Sequence, residues 1–182
     1  MCAVLLSLAL TASLKSPVLQ SFTHALYHLA AQPEFIAPLR EEVEAIVAED
    51  GWSKVAVGKM WKLDSFMRES QRYNGVNSST FVVFSLLIVS RSHVRLIVTV
   101  MRKTLVPLTL SDGTYIPKGT VMVTPAEATH FDNENYENAD VFDPFRFARE
   151  KERDGSAVKH QYVTTSAEYV PFGHGKHAWC VS

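Results

Sequence analysis

The sequence predicts a mostly helical α+β fold, on three observations. Apolar residues recur at helical spacing through residues 21–76, short β-type runs around a hairpin turn follow up to residue 124, and beyond that the chain loses periodicity. Phe22, Ala25, Leu26, Leu29 and Ala30 form the first helical stripe, and Gln32 and Pro33 break it because proline removes a backbone donor. Phe35, Ile36, Leu39, Val43, Ile46 and Val47 form a second stripe that stops before Gly51. Leu63, Phe66, Met67 and Ser70 set a third helix, with Asn74-Gly75 as a left-handed C-terminal stop. Strands are expected over 105–110, 115–116 and 121–124, with Asp112-Gly113 as the hairpin turn. Residues 125–147, rich in Asp, Asn and aromatic side chains, read as a packed meander, and the polar run 151–161 as an exposed loop.

Composition narrows the function classes. A formal net charge of −1 leaves no basic stripe to track phosphate, which argues against a nucleic-acid partner. The two cysteines, Cys2 and Cys180, stand at opposite ends of the chain, a spacing that suits neither a disulfide framework nor a cysteine-based zinc site. Residues 1–10 are apolar but fall short of the roughly 20 residues that cross a bilayer, and no basic stretch precedes them as in a signal peptide. The run Phe81–Val89 suits a buried strand or helix, and Arg91, His93 and Arg95 interrupt it before a membrane length is reached. His24 and His28 lie four apart on a helix, yet no third ligand or zinc-protease glutamate accompanies them. They are read as structural, as are Tyr27, Trp61 and Tyr73.

Two stretches carry chemistry. Residues 169–180 read YVPFGHGKHAWC. Glycines at 173 and 175 let backbone approach a flat cofactor, because they lack a Cβ and accept positive φ. A thiolate held in such a loop would push electron density onto a haem iron and favour O–O cleavage. The second stretch is Glu69-Ser-Gln-Arg72, which places a carboxylate and a guanidinium three apart on one helix face. On its own it reads as a solvated pair worth a few tenths of a kcal/mol.

Together these stretches resemble the cytochrome P450 family. Its cysteine-ligand signature runs Phe, two residues, Gly, one residue, Arg or His, one residue, Cys, one residue, Gly. Phe172, Gly175 and His177 fall in register with it, the ligand position lands on Trp179, and the cysteine of this chain comes one residue later, at Cys180. In the family the Glu-x-x-Arg element is joined by an arginine from a later aromatic, proline-containing segment; Phe142–Phe147 supplies that segment, with Arg146 in the matching place. The runs 21–30, 39–43 and 109–119 look like fungal members of the family.

The resemblance covers most of residues 21–178 and implies the C-terminal part of the P450 fold. It divides a single partial domain into an atypical apolar leader (1–20), a helical region with Glu69 and Arg72 (21–76), a β region (99–124), and a meander with an incomplete haem loop (125–182). Between them, 77–98 is expected to be an insertion, most simply a retained intron, because the family passes almost directly from the Arg72 helix into a strand like Thr99–Thr104.

The resemblance further implies a haem-dependent monooxygenase that inserts one atom of O2 into a small organic substrate with electrons from a reductase, typically on the cytoplasmic face of the endoplasmic reticulum membrane. Phe172, Gly173, Gly175 and His177 would bind the cofactor, His177 approaching a propionate, with Cys180 as the displaced candidate for the iron ligand. Glu69, Arg72 and Arg146 would form the scaffold behind the loop. No intact catalytic set is expected. The alternative is a non-catalytic truncated or mis-spliced fragment, or a small interaction module without haem.

Overall fold

Proline at the first helical position loses no hydrogen bond, since that N–H has no intrahelical partner, and Pro17 opens α1 (Pro17–Ala31). The computed structural model describes residues 17–75, 98–155, 159–175 and 178. A short 3-10 turn (Pro33–Phe35) leads into α2 (Ile36–Asp50). Gly51, at φ +66°, ends α2 with its N–H on the Val47 carbonyl at 3.0 Å. Ser53 then caps α3 (Lys54–Lys59), its hydroxyl accepting the Ala56 N–H at 3.0 Å. The first N–H groups of α4 (Trp61–Tyr73) go to the Glu42 carboxylate, from Lys62 at 2.8 Å and from Leu63 at 3.0 Å, which places negative charge at the positive end of the helix.

The first two stripes are only half inward. Ala25 and Leu39 are buried and meet Phe66 of α4, with Leu29, Phe35, Leu63, Met67, Phe142 and Phe145 packed around them. Phe22 and Leu26 face outward, while Gln20 and Ser21 are buried, Ser21 hydrogen-bonding the Tyr162 side chain. That polar partner turns α1 so that Ala25, not Phe22, meets the core. At the Asn74-Gly75 stop, Asn74 takes φ −124° and closes α4 by donating to the Ser70 carbonyl at 2.9 Å.

Strands β1 (Val98–Lys103) and β4 (Val121–Pro125) pair antiparallel with an irregularity between Val98 and Val100, and β2 (Leu108–Thr109) pairs with β3 (Tyr115–Ile116). The expected strand over 105–110 shrinks to β2 (Leu108–Thr109); Thr104, just before it, still donates its N–H to the Thr120 carbonyl at 3.0 Å and adds a hydroxyl bond to the Pro117 carbonyl at 2.7 Å. Gly113, at φ +87°, makes the turn, and Asp112 accepts the Thr114 N–H at 2.9 Å.

The meander contains α5 (Ala126–His130) and leads into α6 (Arg146–Asp154). Helix α6 corrects the expected exposed loop at 151–161. Lys151 is buried with its ammonium 3.3 Å from Asp64 and over the Trp61 ring, so a long apolar stem packs while its charge is paired. Buried His160 meets Glu150 at 3.2 Å and Asp154 at 3.1 Å. The suspected insertion at 77–98 lies outside the described residues except for Val98.

Candidate functional site

Helix α4 is the organising element, and its burial is mostly polar: Ser65, Arg68, Glu69, Ser70, Gln71 and Arg72 are all enclosed. Buried charge is tolerated only when paired and hydrogen-bonded. Glu69 and Arg72, one turn apart, form a two-pronged pair with both N···O distances at 2.8 Å, the geometry a guanidinium and a carboxylate favour. From α6, Arg146 brings its Nε to 3.4 Å from Glu69 Oε1, and the Asp143 N–H donates to the same oxygen at 3.0 Å. The structure therefore brings Glu69, Arg72 and Arg146 into one cluster, with both Glu69 and Arg72 almost wholly enclosed.

One carboxylate cannot satisfy two guanidinium groups, and backbone carbonyls of the meander take up the rest. Arg72 donates to His130, to Ala139 at 2.8 Å and to Val141 at 3.4 Å. Arg146 donates to Glu137, and to Asn138 and Val141, both at 3.2 Å. These carbonyls converge because Asn138 adopts φ +50°, a left-handed conformation asparagine tolerates better than most residues. Asn133 secures the bend by accepting the Ala139 N–H at 3.0 Å.

Arg68 serves the next segment. Its guanidinium lies 3.9 Å from the Tyr169 ring centroid and 4.6 Å from that of Phe147, and it donates to the Gln161 carbonyl and to Thr164 at 2.9 Å. Tyr169 is fully enclosed, and burial pushes its phenol well above the usual range. The Val170 N–H donates to Nε2 of buried His130 at 3.1 Å. Burial, with the Arg72 charge second, holds the His130 pKa down to about 4.

The glycine loop follows directly. Phe172 is buried and meets Tyr162 edge-on at 5.9 Å, whereas Gly173 and Gly175 stand at φ +76° and +80°. A Cβ at Gly175 would meet nothing within 4 Å, so its backbone dihedral, not lack of room, requires glycine. The Ala178 N–H closes a turn on the Gly175 carbonyl at 2.9 Å. His177, Trp179 and Cys180 lie outside the described residues. Of the histidine pair, His28 contacts Asn74 at 2.6 Å and stacks on Phe142 at 4.0 Å. Among the described residues no three metal-ligating side chains converge.

A family model covers the Arg146 segment and the glycine loop: the Cytochrome P450 model matches residues 91–181, half of the chain. The chain belongs to the cytochrome P450 family. It is 50% identical over 158 residues to Cytochrome P450 monooxygenase 151 of Postia placenta, a match covering 87% of this chain and 28% of that protein. It is 44% identical to Cytochrome P450 monooxygenase CYP512U6 of Ganoderma lucidum, over 87% of this chain and 27% of that protein. With Ent-kaurene oxidase P450-4 of Gibberella fujikuroi the identity is 36%, over 87% of this chain and 28% of that protein. The chain thus spans little more than a quarter of the length of these relatives. Haem iron is the cofactor of this cytochrome P450 family, and the α+β, mostly helical architecture is that of the C-terminal part of its fold.

Sequence reasoning did not single out His130, Arg68, Tyr169 or Asn138. The signal that could have found them is composition: a histidine and an arginine at otherwise apolar-facing positions need partners, and an Asn-rich run offers left-handed turns.

Proposed function

We propose that this chain forms the scaffold and ligand-loop portion of a haem-dependent monooxygenase that inserts one atom of O2 into a small organic substrate, with electrons from a reductase. The observation that carries this reading is the buried Glu69–Arg72–Arg146 cluster, tied through His130 to the backbone that enters the Phe172–Gly175 loop. Phe172, Gly173, Gly175 and His177 would face the porphyrin, His177 toward a propionate. The backbone suits a flat group, since two left-handed glycines follow a buried aromatic. The donor set does not suit iron, because Trp179 stands at the ligand position and an indole has no free lone pair for a metal. Cys180 is the candidate thiolate, one residue displaced. The chemistry would be the cofactor's, with the protein supplying position and electrostatics.

Location follows the family: the cytoplasmic face of the endoplasmic reticulum membrane. No described helix is long and apolar enough to cross a membrane, so that placement calls for an anchor outside these helices. Trp179 favours a second reading, in which the chain keeps the scaffold without the activity.

A chimera tests the first reading. Residues 61–75 and 99–178 would replace the aligned segments of the Postia placenta monooxygenase, which keeps its own ligand residue and all that follows. The expected result is a stoichiometric haem protein whose reduced, CO-bound form shows a thiolate-type Soret band. A folded chimera free of haem overturns the reading.

A further inference from the structure

We propose that His130 is a positioning residue that transmits the placement of the buried Glu69–Arg72 pair to the backbone of the Tyr169–Gly173 segment. Three contacts meet on it. Its carbonyl accepts Arg72 Nη1. Its Nε2 accepts the Val170 N–H at 3.1 Å. Its ring lies nearly parallel to that of Tyr169, 5.7 Å away at 26°. Position in α5 explains why this side chain does the work. Ala126 and His130 are four apart and share a helix face; Ala126 packs on the Val170 side chain while His130 takes its N–H. One short helix thus grips a single residue by side chain and backbone, two residues before Phe172.

The contact fixes the chemistry of the imidazole. A backbone N–H only donates, so Nε2 must be unprotonated and the proton must sit on Nδ1. Burial beside Arg72 and Arg68 keeps the ring neutral at ordinary pH, since its pKa is held down to about 4. Without that acceptor the Val170 N–H would be an enclosed donor lacking a partner, and the segment would open to reach water. The contact matters for the cofactor only if the Phe172–Gly175 loop is the haem loop, as proposed above, but it can be tested without haem.

The test uses the full 182-residue chain, uniformly labelled with nitrogen-15. In the unsubstituted protein, a scalar coupling across the hydrogen bond between the Val170 amide nitrogen and His130 Nε2 is expected, and its absence overturns the proposal. His130→Leu, similar in size but without an acceptor, is expected to speed exchange of the Val170 amide at least about tenfold relative to the Gly51 amide at the end of α2. His130→Gln, whose side-chain oxygen reaches a similar place, is expected to restore most of the protection. Unchanged exchange in His130→Leu overturns the proposal, as does a glutamine variant no better than the leucine one. Should His130→Leu fail to fold, the coupling in the unsubstituted protein decides. A coupling present alongside a haem-free chimera would leave this contact standing and remove only the haem reading.

Discussion

Replacing Arg72 by alanine is expected to destabilise the protein by about 3–5 kcal/mol, the cost of leaving a buried charge without its partner. The Glu69 carboxylate, fully enclosed, would keep only Arg146 at 3.4 Å and the Asp143 N–H at 3.0 Å. The carbonyls of His130, Ala139 and Val141 would each lose a donor. Arg146→Ala belongs to the same class, since it removes the other cation and frees the carbonyls of Glu137 and Asn138. The contrast within the molecule is Arg149, whose pair with Asp143 is largely exposed; Arg149→Ala is expected to cost no more than about 1 kcal/mol. Urea titrations of the three variants would measure this, with the midpoint shift at constant slope giving the stability change. Loss from Arg146→Ala no greater than from Arg149→Ala would show that Arg146 is not a working member of the cluster.

Acid is expected to remove about 3 kcal/mol of stability through His130 alone, from the pKa difference between its folded and unfolded states. The folded pKa is depressed from the ordinary 6.5 to about 4, chiefly by burial and secondly by the Arg72 charge. Between those values the unfolded chain takes up a proton that the folded chain does not. The contribution is therefore complete above pH 6.5, declines as pH falls toward 4 and changes no further below it. Stability measured from pH 7 to pH 4 should fall more steeply in the unsubstituted protein than in His130→Gln, which has no proton to gain there. Equal slopes would mean that His130 is neither enclosed nor held neutral.

Local periodicity made the helical frame legible. Ala25, Leu39 and Phe66 fall on the expected stripes and meet in one core, and the second helix stops before Gly51, which takes a positive φ. What periodicity could not reveal is which polar residues go inside. Gln20 and Ser21 displace Phe22 and Leu26 from the interior, and Lys151 is buried where a solvated loop was expected. Such burial depends on partners far along the chain: Asp64 lies 87 residues from Lys151. In the candidate site Glu69 and Arg72 were readable as one helix face, but Arg146 lies 77 residues from Glu69, and it was resemblance, not spacing, that placed it beside them. The His130 contact with Val170 spans 40 residues, and no local pattern announces it. Asn138 illustrates the same limit, because its left-handed turn is selected by the two guanidinium groups its neighbours must reach.

A one-residue displacement along an extended backbone would move a side chain by about 3.3 Å and turn it to the opposite face, which is what we propose for Cys180 relative to the ligand position at Trp179. Adding haemin to the purified 182-residue protein and recording the Soret spectrum after reduction and CO addition tests most directly whether scaffold and ligand have come apart in this chain. The expected result is no stoichiometric haem and no thiolate-type CO band. Tight one-to-one haem binding with a thiolate-type CO spectrum would contradict it.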